Sequence, residues 1–217
     1  MIRLHHVAQA RSFRILWLME EMGLDFEVVR HSFFDKSLRA PEFLAISPAG
    51  RVPAVEIDGR VIYESGAIME YLCATRGMLG RAAGDADWVD WLEWLHFAET
   101  IGQHLANLTQ QHIALREDWM RSPTVMRLEA KRLGKALDVV EAGLGADDWL
   151  LSSGFSAVDC AVGYGGMIAR RFIGFEALPR VAGWLHRCEE RPAFRRAEAR
   201  DGEAEIYRRA FYAVPGE

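Results

Sequence analysis

The order of patterns along these 217 residues predicts an α/β N-terminal domain, βαβ-ββα with a mixed sheet, followed by an all-α helical-bundle domain. Three observations carry that prediction. Short β-rich runs at 2–4, at 26–29 and on both sides of Asp58-Gly59 are confined to the first third of the chain. The helix-period run between the first two strands is of the length that returns the chain as a parallel crossover. Beyond residue 85 every apolar pattern is helical, with no β-rich run of comparable strength.

Taken in order, residues 2–4 read as a short buried strand, and 12–22 as a helix with Ile15, Leu16, Leu18, Met19 and Met22 on its apolar face. Gly23 suits the left-handed position that ends such a helix. "FEVV" at 26–29 is the second strand, followed by a connection. Asp58-Gly59 between β-rich runs is a strong hairpin signal, because both central residues of the favoured turn need positive φ. Ser65 then reads as the N-cap of a helix running to about residue 75, with Ala67, Ile68, Tyr71 and Leu72 in helical period. The Gly-rich, aperiodic stretch at 76–85 marks the boundary, giving domains at 1–77 and 86–217 joined by a linker at 78–85.

The second part reads as helices over 86–115 and 123–142, one opening at Ser156, one over 179–190 and a short one past Pro192. "FSAVDC" carries a capping box, Ser156 with Asp159, flanked by Phe155 and Cys160 at the staple positions. Trp88, Trp91 and Trp94 with Leu95 and Ala98 form a helical stripe of the kind that builds cores and interfaces.

Composition narrows the function. The chain is 50% hydrophobic and 26% charged with a formal net charge of -5, an ordinary globular balance with no pull toward nucleic acid or an anionic membrane. Cys73, Cys160 and Cys188 are far apart, with no metal-ligand spacing, which points to a reducing, cytoplasmic setting and no disulfide framework. His5 and His6, and His96, His104 and His112 at eight-residue intervals, do not converge on a metal at helical spacing and read as structural or solvent-facing. No signal-peptide core or membrane-length apolar run is expected from the pattern.

"GRVPAVEIDGRVIYESGAIMEYL" joins Val-Pro at a strand start, a hairpin, and Glu-Ser at a helix start. Together with the helical remainder and "GFSAVD" before an interior helix, it resembles the cytosolic glutathione S-transferases over essentially the whole chain. The resemblance implies a thioredoxin-like first domain that binds glutathione as co-substrate, a helical second domain that supplies the electrophile pocket and dimer contacts, and no metal. It also implies site residues. Pro53 would be a cis-proline that turns the backbone of Val52 toward the cysteinyl unit, as an added strand pairs. Ser65 at a helix N-terminus suits the γ-glutamyl carboxylate, because free amides and the positive dipole end favour an anion. Glu64 is suited to the α-ammonium. Arg51, with Arg39 from the preceding loop, suits the glycyl carboxylate, since a guanidinium donates as a planar fork. Gln103, His104 and Asn107 are implied electrophile-pocket residues.

The chemistry requires a thiolate. Lowering a thiol pKa from about 8.5 by about two units takes about 2.7 kcal/mol of preferential anion stabilisation, within reach of one charge-assisted hydrogen bond and a helix dipole. Relatives of the serine type commonly read Asn-Ser-Arg-Ser-x-Arg here. Aligned on the arginines of "QARSFR", their asparagine is Gln9 and their first serine is Ala10. Neither Tyr nor Cys stands in the loop, which argues against tyrosine-type activation and cysteine-type mixed-disulfide chemistry. Arg11 by charge, Ser12 by its hydroxyl, Gln9 by its amide and the backbone amides at the helix start remain. The expected function is a homodimeric transferase joining glutathione to small hydrophobic electrophiles. A glutathione-dependent disulfide or peroxide reductase and a non-catalytic binding protein are the alternatives.

Overall fold

The computed structural model describes residues 1–144 and 148–214, which form two compact units. One is Met1–Ala82 together with Glu189–Glu205; the other is Ala83–Cys188 with the residues from Ile206 onward.

In the first unit, β1 (Ile2–His6), α1 (Phe13–Glu21) and β2 (Phe26–Arg30) make the parallel βαβ crossover, with Leu4 opposite Val28. A connection containing a 3₁₀ turn (Ser37–Arg39) and the short helix α2 (Pro41–Ile46) leads to β3 (Ala54–Ile57), β4 (Arg60–Tyr63) and α3 (Ser65–Arg76). The sheet runs β2-β1-β3-β4, with β3 antiparallel to both neighbours, so it is mixed as expected. Asp58 and Gly59 take φ of 52° and 72°, the double left-handed pair that the hairpin signal required.

α1 is apolar nearly all round and is buried nearly all round: Ile15, Leu16, Trp17, Leu18 and Met19 are fully enclosed. At about 1.5–3 kcal/mol for each large apolar side chain removed from water, this helix is a principal anchor of the unit. It ends in a Schellman motif, with Leu24 N–H on Met19 O, Gly23 N–H on Glu20 O, and Gly23 at φ 63°.

The sequence pattern assigns everything after residue 85 to the helical domain, but α8 (Pro192–Asp201) belongs to the first unit. Phe194 meets Phe13 and Trp17 edge-on. Glu20 accepts from Arg196 and Arg200 at 2.8 and 2.7 Å, and Glu21 accepts both donors of Arg191. These partners lie some 170–180 positions apart, beyond what helical periodicity can report.

The second unit contains α4 (Trp88–Thr109), α5 (Pro123–Gly143), α6 (Ala157–Ala169) and most of α7 (Pro179–Glu190). The run expected as one helix to residue 115 leaves α-geometry at Thr109 for a π-helical turn at Gln110–Ala114. α6 is the central helix, enclosed along almost its whole length. The capping box at its start is present, and Asp159 also accepts from Leu150 N and the indole of the buried Trp184. One carboxylate thereby ties together three segments of the unit.

Candidate functional site

In the first unit the turn before α1, the 3₁₀ turn and the start of β3 come together. The Val52-Pro53 bond is cis. Neither the N–H nor the C=O of Val52 has a hydrogen-bond partner among the described residues. Its side chain packs against a cluster made by Val7, Ala10, Leu38 and Phe43, which joins the turn before α1, the 3₁₀ turn and the start of β3. Ala10 is thus a neighbour of the strand start that presents Val52.

The start of α3 differs from expectation in one respect. Ser65 is the first helical residue, and the cap position belongs to Glu64, exposed and at φ 72°. A non-glycine residue held left-handed is a feature that concentrates at binding sites. The Ser65 hydroxyl accepts from Arg14 at 3.2 Å, and Arg14 is only 1% exposed. A buried guanidinium therefore lies beside a helix N-terminus whose first amides have no intrahelical acceptors, and both favour an anion there. Arg14 is absent from the residues expected at the site, although it is the second arginine of the "QARSFR" match; being on the buried face of a helix, it reads from sequence as a misplaced charge.

Arg39 and Arg51 are exposed, on adjoining loops: a Cβ on Gly50 would sit 2.7 Å from the Leu38 carbonyl, so the two segments touch at the residues next to them. The Ser47 hydroxyl donates to Arg51 O at 2.8 Å and fixes that loop.

At the entrance of α1 the serine is enclosed. Ser12 is 0% exposed; its hydroxyl donates to Val7 O and accepts from Val7 N, both at 3.3 Å. It occupies the cap position, yet its side chain caps nothing. The hydroxyl closes the turn from inside. Arg11 and Gln9 are half-buried, with Gln9 left-handed at φ 57°. Asp201 accepts the Gln9 N–H from the far end of α8.

In the second unit, Gln103 is exposed, whereas His104 and Asn107 turn to α5 and share Glu129 Oε2 at 2.8 and 3.1 Å. Arg132 donates to the other oxygen. Burial pushes the Glu129 carboxyl up, but the hydrogen bonds from His104, Asn107 and Arg132 together outweigh it and hold the group below its ordinary value. His104 Nδ1 and Asn107 Nδ2 thus join α4 to α5 through Glu129. Cys73, Cys160 and Cys188 are buried, and burial pushes the Cys73 thiol up to about 12 against the opposing charge of Arg81. Among the described residues no group of His, Cys, Asp or Glu is placed to hold a metal ion, and no helix is long and apolar enough to cross a membrane.

A mixed four-stranded sheet with a cis-proline strand start makes a thioredoxin-like domain, here followed by a helical unit. Residues 1–74 match the family model of the glutathione S-transferase N-terminal domain. "Glutathione S-transferase 3" of Schizosaccharomyces pombe is 26% identical over 208 residues, spanning 90% of this chain and 86% of that protein. A glutathione transferase from Methylococcus capsulatus superposes with a TM-score of 0.81 at 26% identity, over 93% of this chain and 99% of that one. The transferase URE2P6 of Phanerochaete chrysosporium, solved with oxidized glutathione, gives a TM-score of 0.84 at 23% identity over 93% and 97% of the two chains. The first 74 residues carry the glutathione S-transferase N-terminal domain, and the chain as a whole is similar to glutathione S-transferases over nearly its full length.

Proposed function

We propose that this protein adds the thiolate of glutathione to small hydrophobic electrophiles. The observation that carries the reading is the buried Arg14 beside Ser65 at the start of α3, an anion site built into the first unit. There the Ser65 hydroxyl and the first amides of α3 hold the γ-glutamyl carboxylate, and Glu64 takes the α-ammonium. The unengaged backbone of Val52 pairs with the cysteinyl unit, while Arg51 and Arg39 hold the glycyl carboxylate. The thiolate faces the turn before α1, where the Arg11 charge, the Gln9 amide and the N-terminal amides of the helix stabilise it. Ser12 serves by holding the turn, since its hydroxyl is spent on Val7. The helical unit supplies the electrophile pocket and the homodimer contacts, and the protein works in the cytoplasm.

A second reading is glutathione-dependent disulfide reduction. Ala10 in place of a hydroxyl, with Ser12 enclosed, leaves the turn without a free side-chain hydroxyl, and a family member of the same fold takes up oxidized glutathione. Retention of the protein on immobilised glutathione, with parallel assays of conjugation and disulfide reduction by the native protein and Arg11→Ala, separates the two. Conjugation that falls with Arg11→Ala supports the first reading. Reduction without conjugation supports the second. Retention with neither activity leaves a binding protein, and no retention overturns all three.

A further inference from the structure

We propose that Asp201, the last residue of α8, is a positioning residue for the thiol site, an inference that rests on the transferase reading above. Its carboxylate, 6% exposed, accepts the Gln9 N–H with both oxygens, at 3.2 and 3.1 Å. His6 Nε2 lies 3.1 Å from Asp201 Oδ1 and also 3.1 Å from its carbonyl oxygen. Arg30 donates to the same carbonyl at 2.7 Å, and to Arg200 O at 2.6 Å. The end of α8 is thereby fastened to the last residue of β1, to the last residue of β2 and to the turn that leads into α1.

The fastening bears on Gln9. A glutamine at φ 57° occupies a conformation that only glycine, and less readily asparagine or aspartate, adopts at little cost. Within the turn, Ala10 N–H goes to Val7 O, and the Ser12 hydroxyl brackets the same residue. The Gln9 N–H points the other way, to Asp201. The dihedral at Gln9 sets the direction in which the chain enters Ala10 and Arg11, so the carboxylate that holds this N–H fixes where the Arg11 guanidinium and the first amides of α1 stand relative to the sulfur. The chain also leaves α8 in a way that only glycine permits: Gly202 has φ 102°, and a Cβ there would lie 2.6 Å from the Arg30 guanidinium and 3.8 Å from the Ala8 Cβ. α8 therefore does more than pack on α1; its final residue reaches the turn at Gln9.

The test compares Asp201→Ala and Asp201→Asn with Glu20→Gln, which loosens α8 through Arg196 and Arg200 without touching Asp201. Three readouts are taken: KM for glutathione, kcat, and the pH at which bound glutathione ionises, followed by thiolate absorbance. Asp201→Ala is expected to lower kcat about tenfold, to raise the ionisation midpoint of the bound thiol by about one pH unit, the equivalent shift, and to change KM for glutathione less than about threefold, because the α3 site is intact. Asp201→Asn, which keeps one acceptor oxygen, is expected to fall between Asp201→Ala and the native protein, and carries the test if the alanine variant does not fold. An unchanged ionisation midpoint in the folded variants overturns the proposal. An equal shift in Glu20→Gln also overturns it, since Asp201 would then be one helix anchor among several. A native protein that neither retains nor ionises glutathione overturns this inference together with the transferase reading, and is distinguished from the first two outcomes by its failure without any substitution.

Discussion

The two helix entrances of the first unit are each marked by a serine in the sequence, and they are built in opposite ways. At α3, Ser65 holds a buried guanidinium at a helix N-terminus, so the hydroxyl belongs to a charged, anion-favouring corner. At α1, Ser12 is sealed against Val7, and a carboxylate from α8 holds the turn. A serine at a helix start thus meets a buried guanidinium in one case and clasps its own turn in the other, and the proposed function makes only the first a ligand group. The difference is sharpest under substitution. Ser65→Ala removes a hydrogen bond to a charged ligand group, about 1.5–3 kcal/mol, and should weaken glutathione binding about 10- to 100-fold in a calorimetric titration. A change of less than about twofold would mean that the α3 entrance is no more a ligand site than the α1 entrance.

Ala10→Ser examines the other entrance. Ala10 is buried beside Val7, Leu38 and Phe43, with Val52 against the same cluster. If the sulfur lies over this corner, a hydroxyl here supplies the missing donor, and kcat/KM for conjugation should rise about tenfold, equivalent to about 1.4 kcal/mol. A variant that melts earlier with no gain in rate would show that the Ala10 Cβ points into the cluster, where an unpaired hydroxyl only costs stability.

Legibility follows the same division. The hairpin at Asp58-Gly59, the parallel crossover, the Val-Pro strand start and the helix after Glu64 are local patterns, each fixed by a few neighbouring residues whose conformational preferences show in sequence. The short α2 was missed because six residues leave too little periodicity, and its Pro41 start reads equally as a loop. Arg14, Asp201 and the membership of α8 in the first unit were invisible for a different reason. Their roles depend on contacts across 51 positions for Arg14 with Ser65 and 192 for Gln9 with Asp201, and no local spacing carries that information. The sequence therefore points to the hairpin, the Val-Pro strand start and the helix entrances better than to the long-range contacts that hold them.

Glu20→Gln tests how much of the α1 side depends on charge between α1 and α8. Glu20 is buried, but Arg196 and Arg200 are 54% and 36% exposed, so solvent screens much of the attraction. The expected loss is about 1 kcal/mol, a fall in Tm of about 2–4 °C for a chain of this size, seen by calorimetry. Glutathione affinity should stay within about twofold, since the α3 entrance makes no use of Glu20. A loss of affinity comparable with that of Ser65→Ala would erase the distinction between the two entrances.

The smallest effect at neutral pH belongs to Glu129, whose buried carboxylate is held by His104, Asn107 and Arg132 between α4 and α5. Because its folded pKa lies below the unfolded value, its contribution is fully present above about pH 4.3 and is lost as the pH falls through the folded value, below which the carboxyl is protonated in both states. Thermal melts of the native protein and Glu129→Gln should therefore converge on acidification, the gap closing only below the ordinary range of a glutamate. A gap that stays constant from neutral to strongly acid pH would show that the charge of this carboxylate is not what joins the two helices, and would leave Asn107 and His104 free to serve the electrophile instead.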